Sequence, residues 1–271
     1  MKKRKLILVG GFLGTGKTTL LRQAAQQLTQ QGYRVALITN DQAPELVDTG
    51  ILKQAGWAVG EIAGGCFCCK FDGLVETANK LIQAADPDII MGEPVGSCTD
   101  LSATVLQPLK DTLAHQFDLA PFTVLIDANR LRDALNQNPI SLLHPSARYI
   151  IRKQLEEADI MVLNKVDQIS ASDLHKLREE LQNQFPRSPL LSMSALHGQG
   201  IPAWLEWVQQ GTPAGQKIAD VDYDTYAEGE AVLGWLNASA SLSPKEPVDW
   251  GLGAWNYWRP YNGASQASLP K

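Results

Sequence analysis

The sequence predicts an α/β fold in which helices cover both faces of a mostly parallel β-sheet. Short apolar runs alternate with amphipathic segments over most of the 271 residues. A nearly continuous apolar run is typical of a strand that is buried on both faces, and such strands belong to parallel sheets. Because right-handed crossovers place the carboxyl ends of these strands along one edge, we expect the functional residues to lie there.

The predicted strands and helices follow one another along the chain. KLILVGG is the first strand, and the helix KTTLLRQAAQQLTQQG follows it and closes at Gly32. Further strands are predicted at RVALITN, WAVGEI, PDIIMG, FTVLIDA, DIMVLN and PLLSMSA. Further helices are predicted at DGLVETANKLIQAA, SARYIIRKQLEEA and SDLHKLREELQNQF, and from Trp204 to Val208. The result is a three-layer sandwich.

The amino-acid composition changes near the end of the chain. Four of the seven tryptophans lie in a late stretch rich in Pro, Ser and Gly: Trp235, Trp250, Trp255 and Trp258. We therefore predict one α/β domain over residues 1–215, followed by a linker and a short, truncated C-terminal appendage over residues 216–271. EGEAVLGWLNASASLS is predicted to begin a strand of this appendage. A segment of this length has too few residues to form a stable hydrophobic core by itself.

Composition excludes several classes of protein. With 44% hydrophobic residues, 20% charged residues and a net charge of −5, the chain suits an ordinary globular protein and offers no basic surface for nucleic acid. No run of 18 apolar residues predicts a membrane span. MKKRKLILVGGFLG superficially resembles a signal peptide, but no small-residue cleavage site follows. Four cysteines, three of them clustered, do not form a secreted disulfide framework, so we expect a cytoplasmic protein.

GGFLGTGKTTL contains Gly11-x4-Gly16-Lys17-Thr18, the pattern of a phosphate-binding P-loop. It follows an apolar strand and opens a helix, which is the context that the pattern requires. Lys17 is predicted to reach the β- and γ-phosphates, and the Thr18 hydroxyl to coordinate Mg²⁺. The fold is therefore a P-loop NTPase fold, and the predicted phosphate site comprises Gly11, Gly14, Thr15, Gly16, Lys17, Thr18 and Thr19.

A Mg²⁺ ion at this loop also needs a carboxylate at the end of a neighbouring strand. DIIMGEP offers Glu93 and TVLIDAN offers Asp127. Each follows an apolar strand, so the residues alone leave both candidates open.

DIMVLNKVDQI ends a predicted strand with Asn164-Lys165-Val166-Asp167. An aspartate here can accept hydrogen bonds from N1–H and N2–H₂ of guanine, which adenine cannot both supply. Lys165 is expected along the base plane, and Asn164 is expected to brace the neighbouring loop. At the next strand end, Ser194-Ala195 is predicted to present a backbone N–H to the guanine O6. These motifs favour GTP over ATP.

Three of the four cysteines lie in EIAGGCFCCKFDG, as Cys66, Cys68 and Cys69. We distinguish this Cys-x-Cys-Cys spacing from the Cys-x-x-Cys pairs of zinc ribbons and redox centres. Three thiolates on one loop suit Zn²⁺ or another soft or borderline cation and leave a coordination position open, which favours exchange. Alternatives are a structural site completed by Cys98 or a histidine, and a fortuitous cluster. The histidines themselves are scattered, and none has ligand spacing.

In this order, GFLGTGKTTLL, GGCFCC, EPVG, NKVD and SA resemble the CobW-like GTPases, which are grouped with the nickel-insertion GTPases UreG and HypB. The resemblance covers roughly residues 5–210. It implies a GTP-hydrolysing metal chaperone that carries Zn²⁺ or Co²⁺ on Cys66, Cys68 and Cys69 and releases it to a client metalloprotein. It also implies that Glu93, rather than Asp127, is the Mg²⁺ carboxylate. A homodimer is one candidate assembly.

This sequence departs from the family pattern in three places. The segment after the second strand usually resembles Asn-Glu-Phe-Gly-Glu, whereas here it is TNDQAPELVDTG, so Asp41 takes the acidic position and is a candidate catalytic switch residue. The histidine-rich loop of some members is missing, and the C-terminal segment is shorter than theirs, so the chain is expected to be a shortened form. Two other functions remain open: a GTP-dependent regulatory switch with a purely structural zinc site, and a small-molecule kinase.

Overall fold

A computed structural model describes residues 2–41, 52, 55–135, 144–210 and 213–233. Residues 1–234 form one compact unit. The boundary predicted at residue 215 falls inside this unit. The tryptophan-rich stretch after Gly234 lies outside the described residues.

The described residues contain a sheet of eight strands, and every pairing between these strands is parallel. The order across the sheet is β3-β2-β4-β1-β6-β7-β8, and β5 pairs with the first half of β1. The strands are β1 (Arg4–Gly11), β2 (Val35–Asp41), β3 (Ala58–Ala63), β4 (Ile89–Glu93), β5 (Phe117–Leu119), β6 (Thr123–Asp127), β7 (Ile160–Asn164) and β8 (Leu190–Ser192).

The helices lie between the strands, as the alternating pattern predicts. They are α1 (Lys17–Gln30), α2 (Phe71–Ala85), α3 (Gln107–Leu113), α4 (Ala128–Leu135), α5 (Pro145–Glu157), α6 (Ala171–Gln184), α7 (Ile201–Gln209) and α8 (Tyr223–Ala231). A π-helical turn (Ser102–Leu106) leads into α3, and a 3₁₀ turn (Val166–Gln168) follows β7. None of the described helices is long and apolar enough to cross a membrane.

Two apolar cores, one on each face of the sheet, explain the three layers. Along β1, Leu6 and Leu8 belong to the core that α2, α3 and α6 cover, whereas Ile7 and Val9 belong to the core beneath α1 and α7. Successive side chains of a strand point to opposite faces, so a strand buried on both faces must be apolar throughout. The predicted mostly parallel, three-layer fold is confirmed.

The segment before Gly234 corrects one prediction. EGEAVLGWLNASASLS is expected to begin a strand, but its first four residues are the end of α8. Asp222 caps this helix by accepting a hydrogen bond from the Thr225 N–H at 2.8 Å. Gly229 lies so close to α5 that an added Cβ would stand 2.8 Å from Ile150 Cδ1. The absence of a side chain at this position allows α8 to pack on α5, a contact that a local pattern does not encode.

Candidate functional site

The loop between β1 and α1 has the curled backbone of a phosphate-binding loop. Gly11, Gly14 and Gly16 have φ angles of +128°, +73° and +96°. A Cβ at Gly11 would lie 2.5 Å from the Leu125 carbonyl oxygen, and one at Gly16 would lie 2.6 Å from Asn164 Nδ2. Both the backbone conformation and the close approach of neighbouring strands therefore require glycine here.

Lys17 and Thr15 hold this loop in shape. The Lys17 Nζ donates to the Gly11 carbonyl oxygen at 2.9 Å, so the ammonium folds back over the loop. The buried Thr15 hydroxyl donates to the Phe12 carbonyl oxygen at 2.8 Å. Thr19 lies half-buried in the first turn of α1. The α1 N-terminus and the Lys17 ammonium together provide positive potential where phosphates bind in such loops.

Thr18 and Glu93 bring two kinds of oxygen together beside the loop. The Thr18 Oγ1 lies 3.0 Å from both Glu93 Oε1 and Glu93 Oε2. Glu93 is the last residue of β4 and is buried. A hydroxyl and a carboxylate are donors that suit the hard cation Mg²⁺, so these residues fit the predicted ion. Asp41 ends β2, but its side chain lies outside the described residues.

Asn164, at the end of β7, connects two loops. Its Nδ2 donates to the Thr15 carbonyl oxygen at 2.8 Å, and its Oδ1 accepts from the Ala195 N–H at 2.9 Å. The Ser194 N–H donates a hydrogen bond to the Gln199 carbonyl oxygen at 3.0 Å. Asn164 therefore braces the neighbouring loops. Both the Ser194 and the Ala195 N–H groups donate to acceptors within the protein. Recognition of the guanine O6 through them therefore stays a prediction.

Asp127 has a position that sequence reasoning missed. Its Oδ2 accepts from Lys165 Nζ at 2.7 Å, while its Oδ1 accepts from the Asn129 N–H at 2.9 Å and so caps α4. Lys165 itself has a left-handed backbone, with a φ of +63°. Asp127 pairs with Asn164 in the β6–β7 register, which brings it beside Lys165. Asp127 thus orients the lysine of the Asn-Lys-Val-Asp motif.

Asp167 points a carboxylate towards His197, another residue that sequence reasoning left without a role. Its Oδ2 lies 3.8 Å from His197 Nε2, and its side chain is 22% exposed. This partly exposed carboxylate, just beyond the end of β7, remains available to a ligand. His197 is the one described histidine that lies against the motif, and only the approach of the loop after β8 reveals it.

The three clustered cysteines lie in a tight turn between β3 and α2. The Lys70 N–H donates to the Cys66 carbonyl oxygen at 2.9 Å, which is the i, i+4 bond of a helical turn. Cys66 and Cys69 consequently face the same side, and their sulfurs are 2.9 Å apart, while those of Cys68 and Cys69 are 4.0 Å apart. Cys66 and Cys69 are themselves spaced as Cys-x-x-Cys. The sequence-based statement that the cluster differs from a Cys-x-x-Cys pair is therefore corrected.

The geometry of this cluster suits a thiolate-bound cation. All three sulfurs lie within 4.8 Å of one another. Zn–S bonds of about 2.3 Å in a tetrahedron place sulfurs roughly 3.8 Å apart. The Cys68 and Cys69 sulfurs are close to this separation at 4.0 Å, whereas the Cys66 and Cys69 sulfurs are closer together, at 2.9 Å. The cysteines are free thiols. The three sulfurs thus lie close enough together for one metal ion to reach all of them.

Hydrogen bonding makes one of these thiols strongly acidic. Hydrogen bonds from the Cys68 thiol above all, then from Cys98 and Cys69, hold the pKa of Cys66 well below its usual range, although burial opposes this. The Cys69 N–H also donates to the Cys66 sulfur at 3.3 Å. The same contacts raise the pKa values of Cys68 and Cys69. A lowered pKa favours the thiolate of Cys66, which is the form that binds metal.

The cysteine turn crosses the end of β2 towards β4. Asn40 Nδ2 donates to the Gly65 carbonyl oxygen at 2.6 Å and to the Ile62 carbonyl oxygen at 2.9 Å. Phe67 is fully buried, and a Cβ at Gly92 would lie 3.4 Å from its ring. Gly92 immediately precedes Glu93, so the turn is anchored beside the strand that carries the predicted Mg²⁺ carboxylate.

A buried acid lies beneath the segment that follows β4. Glu157 is buried and accepts from the Ser102 N–H at 2.9 Å and from the Thr99 hydroxyl at 3.4 Å. Burial raises the pKa of this carboxyl to about 8, and the nearby Asp100 adds to the effect. Asp100 has a φ of +63° and accepts a hydrogen bond from the Tyr223 hydroxyl. The hydrogen bonds of Glu157 and Tyr223 thus connect the segment after β4 to α5 and α8.

The fold and the loop define the class of the protein as a P-loop nucleotide-binding protein. A family model for the CobW/HypB/UreG nucleotide-binding domain matches residues 5–192. The match covers more than half of the chain. The chain therefore belongs to the CobW/HypB/UreG family.

Curated relatives agree with this assignment. The zinc chaperone CobW of Sinorhizobium sp is 30% identical over 225 residues, which are 76% of this chain and 62% of that protein. The zinc chaperone YjiA of Escherichia coli (strain K12) is 28% identical over 197 residues, which are 70% of this chain and 57% of that protein. The chain thus spans less than two thirds of the length of these relatives.

Solved structures are similar in fold. The hydrogenase maturation factor HypB from Archaeoglobus fulgidus aligns with a TM-score of 0.52 at 17% identity, over 76% of this chain and 89% of that one. HypB from Helicobacter pylori, solved in complex with nickel, aligns with a TM-score of 0.54 at 16% identity, over 78% and 91% of the two chains. At these identities the similarity concerns the fold alone.

Proposed function

We propose that this protein binds GTP with Mg²⁺, hydrolyses it to GDP and phosphate, and carries Zn²⁺ or Co²⁺ on Cys66, Cys68 and Cys69. Nucleotide state controls release of the metal to a client metalloprotein. The observation that carries the proposal is the position of the three thiols, whose turn packs through Phe67 against Gly92, next to Glu93. The naming of curated relatives as zinc chaperones supports the choice of metal.

Each part of the nucleotide site has a task in this proposal. The loop amides and the Lys17 ammonium bind the phosphates, and Asp167 selects guanine. Thr18 and Glu93 would hold Mg²⁺, which supplies charge neutralisation at the phosphates when bound. The chain's own residues contribute mainly by positioning the nucleotide, as in other phosphoryl-transfer sites.

The thiol site has the properties of a cargo site. Cys69 is exposed, whereas Cys66 and Cys68 are half-buried, so metal can enter and leave at the Cys69 side. Because Asn40 and Phe67 connect the turn to β2 and β4, rearrangement of these strand ends around GTP changes the distances between the sulfurs. The nucleotide thereby changes the affinity for the metal.

A titration with Zn²⁺ or Co²⁺ in the presence of GTPγS or GDP tests this proposal. We expect tighter binding with GTPγS, by about 5- to 150-fold, the usual range for coupled sites. The matched control is the variant in which Cys66, Cys68 and Cys69 are all replaced by serine, which should bind GTP normally but lose tight metal binding. Equal affinity in both nucleotide states, with zinc retained through chelation, would instead identify a regulatory switch with a structural zinc site.

A further inference from the structure

Arg130 lies against the phosphate-binding loop, although the proposed carrier function gives it no role. It is the third residue of α4, which begins directly after β6 ends at Asp127. β6 pairs with β1 in parallel register, with Leu125 opposite Gly11, so the start of α4 lies beside the P-loop. Asp127 Oδ1 accepts from the Asn129 N–H at 2.9 Å and from the Arg130 N–H at 3.3 Å. The backbone that carries Arg130 is therefore fixed next to the loop.

The guanidinium of Arg130 reaches the middle of this loop. Its Nη1 donates to the Leu13 carbonyl oxygen at 2.5 Å, and its Nη2 lies 3.2 Å from the position that a Cβ would take on Gly14. The Lys17 Nζ lies 3.4 Å from the carbonyl oxygen of Phe12, to which it donates. Cations from α4 and α1 thus lie on adjacent carbonyl groups of the same loop.

The Arg130 side chain has the access and the donors that a contact with a ligand needs. It is 43% exposed. A guanidinium has five N–H donors in a planar fork, and the Leu13 carbonyl accepts from one nitrogen only. Asp127 Oδ2 lies 3.9 Å from Arg130 Nε, but it accepts its short hydrogen bond, at 2.7 Å, from Lys165 Nζ. The contacts of Arg130 among the described residues therefore leave donors for an anion at the loop.

We propose that Arg130 is a catalytic residue of GTP hydrolysis, whose guanidinium donates to oxygens of the γ-phosphate and of the β–γ bridge. This proposal rests on the proposed GTPase function. In hydrolysis a water oxygen forms a bond to the γ-phosphorus while the bond from that phosphorus to the bridging oxygen breaks. The electron pair of the broken bond stays on GDP. One proton of the water remains on the released phosphate, and the other passes to solvent.

The charge that moves during this reaction gives the second cation its task. Negative charge develops on the bridging oxygen as the bond breaks, and a fixed positive group near that oxygen stabilises the transition state. An arginine supplied by the same chain has this effect in other phosphoryl-transfer sites. The planar fork of Arg130 can donate to two oxygens at once, which the ammonium of a lysine cannot do in the same geometry. Arg130 thus complements Lys17 rather than duplicating it.

Hydrolysis of saturating GTP by the full chain, measured together with affinity for GDP, tests this role. We expect kcat to fall by at least about 100-fold in both Arg130→Ala and Arg130→Lys, while GDP affinity stays nearly constant. GDP with aluminium fluoride imitates the transition state and should bind the two variants at least about 100-fold more weakly than it binds the natural protein. Arg152→Ala is the matched control, because Arg152 is an exposed arginine of α5 that pairs with Glu156, and all three measurements should stay unchanged.

Several outcomes would overturn the proposal. Unchanged kcat in Arg130→Ala, or full activity in Arg130→Lys, would show that Arg130 only holds the Leu13 carbonyl, a task that a lysine can perform. A loss of GDP affinity as large as the loss of kcat would also assign it a role in loop shape alone. If the natural protein hydrolyses GTP and the variants match it, only the role of Arg130 fails. If the natural protein does not hydrolyse GTP, the proposed GTPase function fails as well.

A crystal structure of the natural protein with GDP and aluminium fluoride needs no substitution, so it tests the proposal even if both variants fail to fold. We expect the Arg130 guanidinium to donate to the fluoride group and to the oxygen that bridges it to GDP. A guanidinium that contacts the Leu13 carbonyl but neither of these groups overturns the proposal.

Discussion

The hydroxyl of Thr18 lies 3.0 Å from each carboxylate oxygen of Glu93. These residues come from the start of α1 and the end of β4, which are adjacent because β4 pairs with β1 in the sheet. The contact places the Glu93 carboxylate beside the P-loop hydroxyl, whereas Asp127 accepts a hydrogen bond from Lys165 Nζ, so we propose Glu93 as the Mg²⁺ carboxylate. The residues alone left that choice open, and the family resemblance favoured Glu93.

The Thr18–Glu93 pair gives the first prediction. Glu93→Gln keeps the size of the side chain but removes the charge that a Mg²⁺ ion needs. We expect GTP hydrolysis to fall by about 100- to 1,000-fold, the usual effect of removing one electrostatic stabiliser from a reaction site. Phosphate release under saturating GTP measures it. Glu76→Gln on the exposed face of α2 is the control, and equal rates in the two variants would contradict the role of Glu93.

The second prediction concerns selection of the base. Asp167→Asn replaces an acceptor with a group that also donates, so the variant should lose GTP affinity by at least about a hundredfold and gain affinity for XTP. Competition binding with GTP, XTP and ATP measures the change. Asp173→Asn, on the next helix, should leave selectivity untouched. Unaltered GTP preference in Asp167→Asn would rule out this assignment.

The third prediction separates positioning from recognition. Asp127→Asn removes the ion pair with Lys165 Nζ but keeps an oxygen that can accept from the Asn129 N–H. We expect GTP affinity to fall about tenfold, because a charge-assisted hydrogen bond contributes roughly 1.5–3 kcal/mol, while the ratio of GTP to XTP affinity stays constant. A double-mutant cycle with Lys165→Met should show strong coupling, and additive effects would refute the arrangement.

The fourth prediction follows from the buried acid Glu157. Its pKa rises from 4.5 to about 8 on folding, chiefly through burial. At pH values between 4.5 and about 8, Glu157 is ionised in the unfolded chain but keeps its proton in the folded protein. The contribution to stability is therefore complete below pH 4.5 and declines as the pH rises to about 8.

Glu157→Gln removes this titration. The variant should be more stable than the natural protein at pH 8, by an amount on the order of a few kcal/mol, and nearly equal to it at pH 4.5. Denaturant unfolding at several pH values measures the difference. Glu179→Gln on the exposed face of α6 should leave the pH dependence unchanged. A constant difference between Glu157→Gln and the natural protein at all pH values would be inconsistent with the raised pKa.

Much of this protein is determined by local sequence. Apolar runs of five to eight residues mark the buried strands, because a strand in a parallel sheet meets a core on both faces. The P-loop is equally readable, since Gly11 and Gly16 meet backbone requirements that few other residues satisfy. The cysteine cluster can be recognised in the sequence because its three members lie within four consecutive residues of one turn.

Tertiary structure alone decided the contacts between distant segments. The Asp127–Lys165 pair and the approach of His197 to Asp167 both join residues from different strand ends or loops. Periodicity reports only which face of its own element a side chain occupies. Which strands lie side by side depends on the order β3-β2-β4-β1-β6-β7-β8, and that order follows from packing of the whole chain.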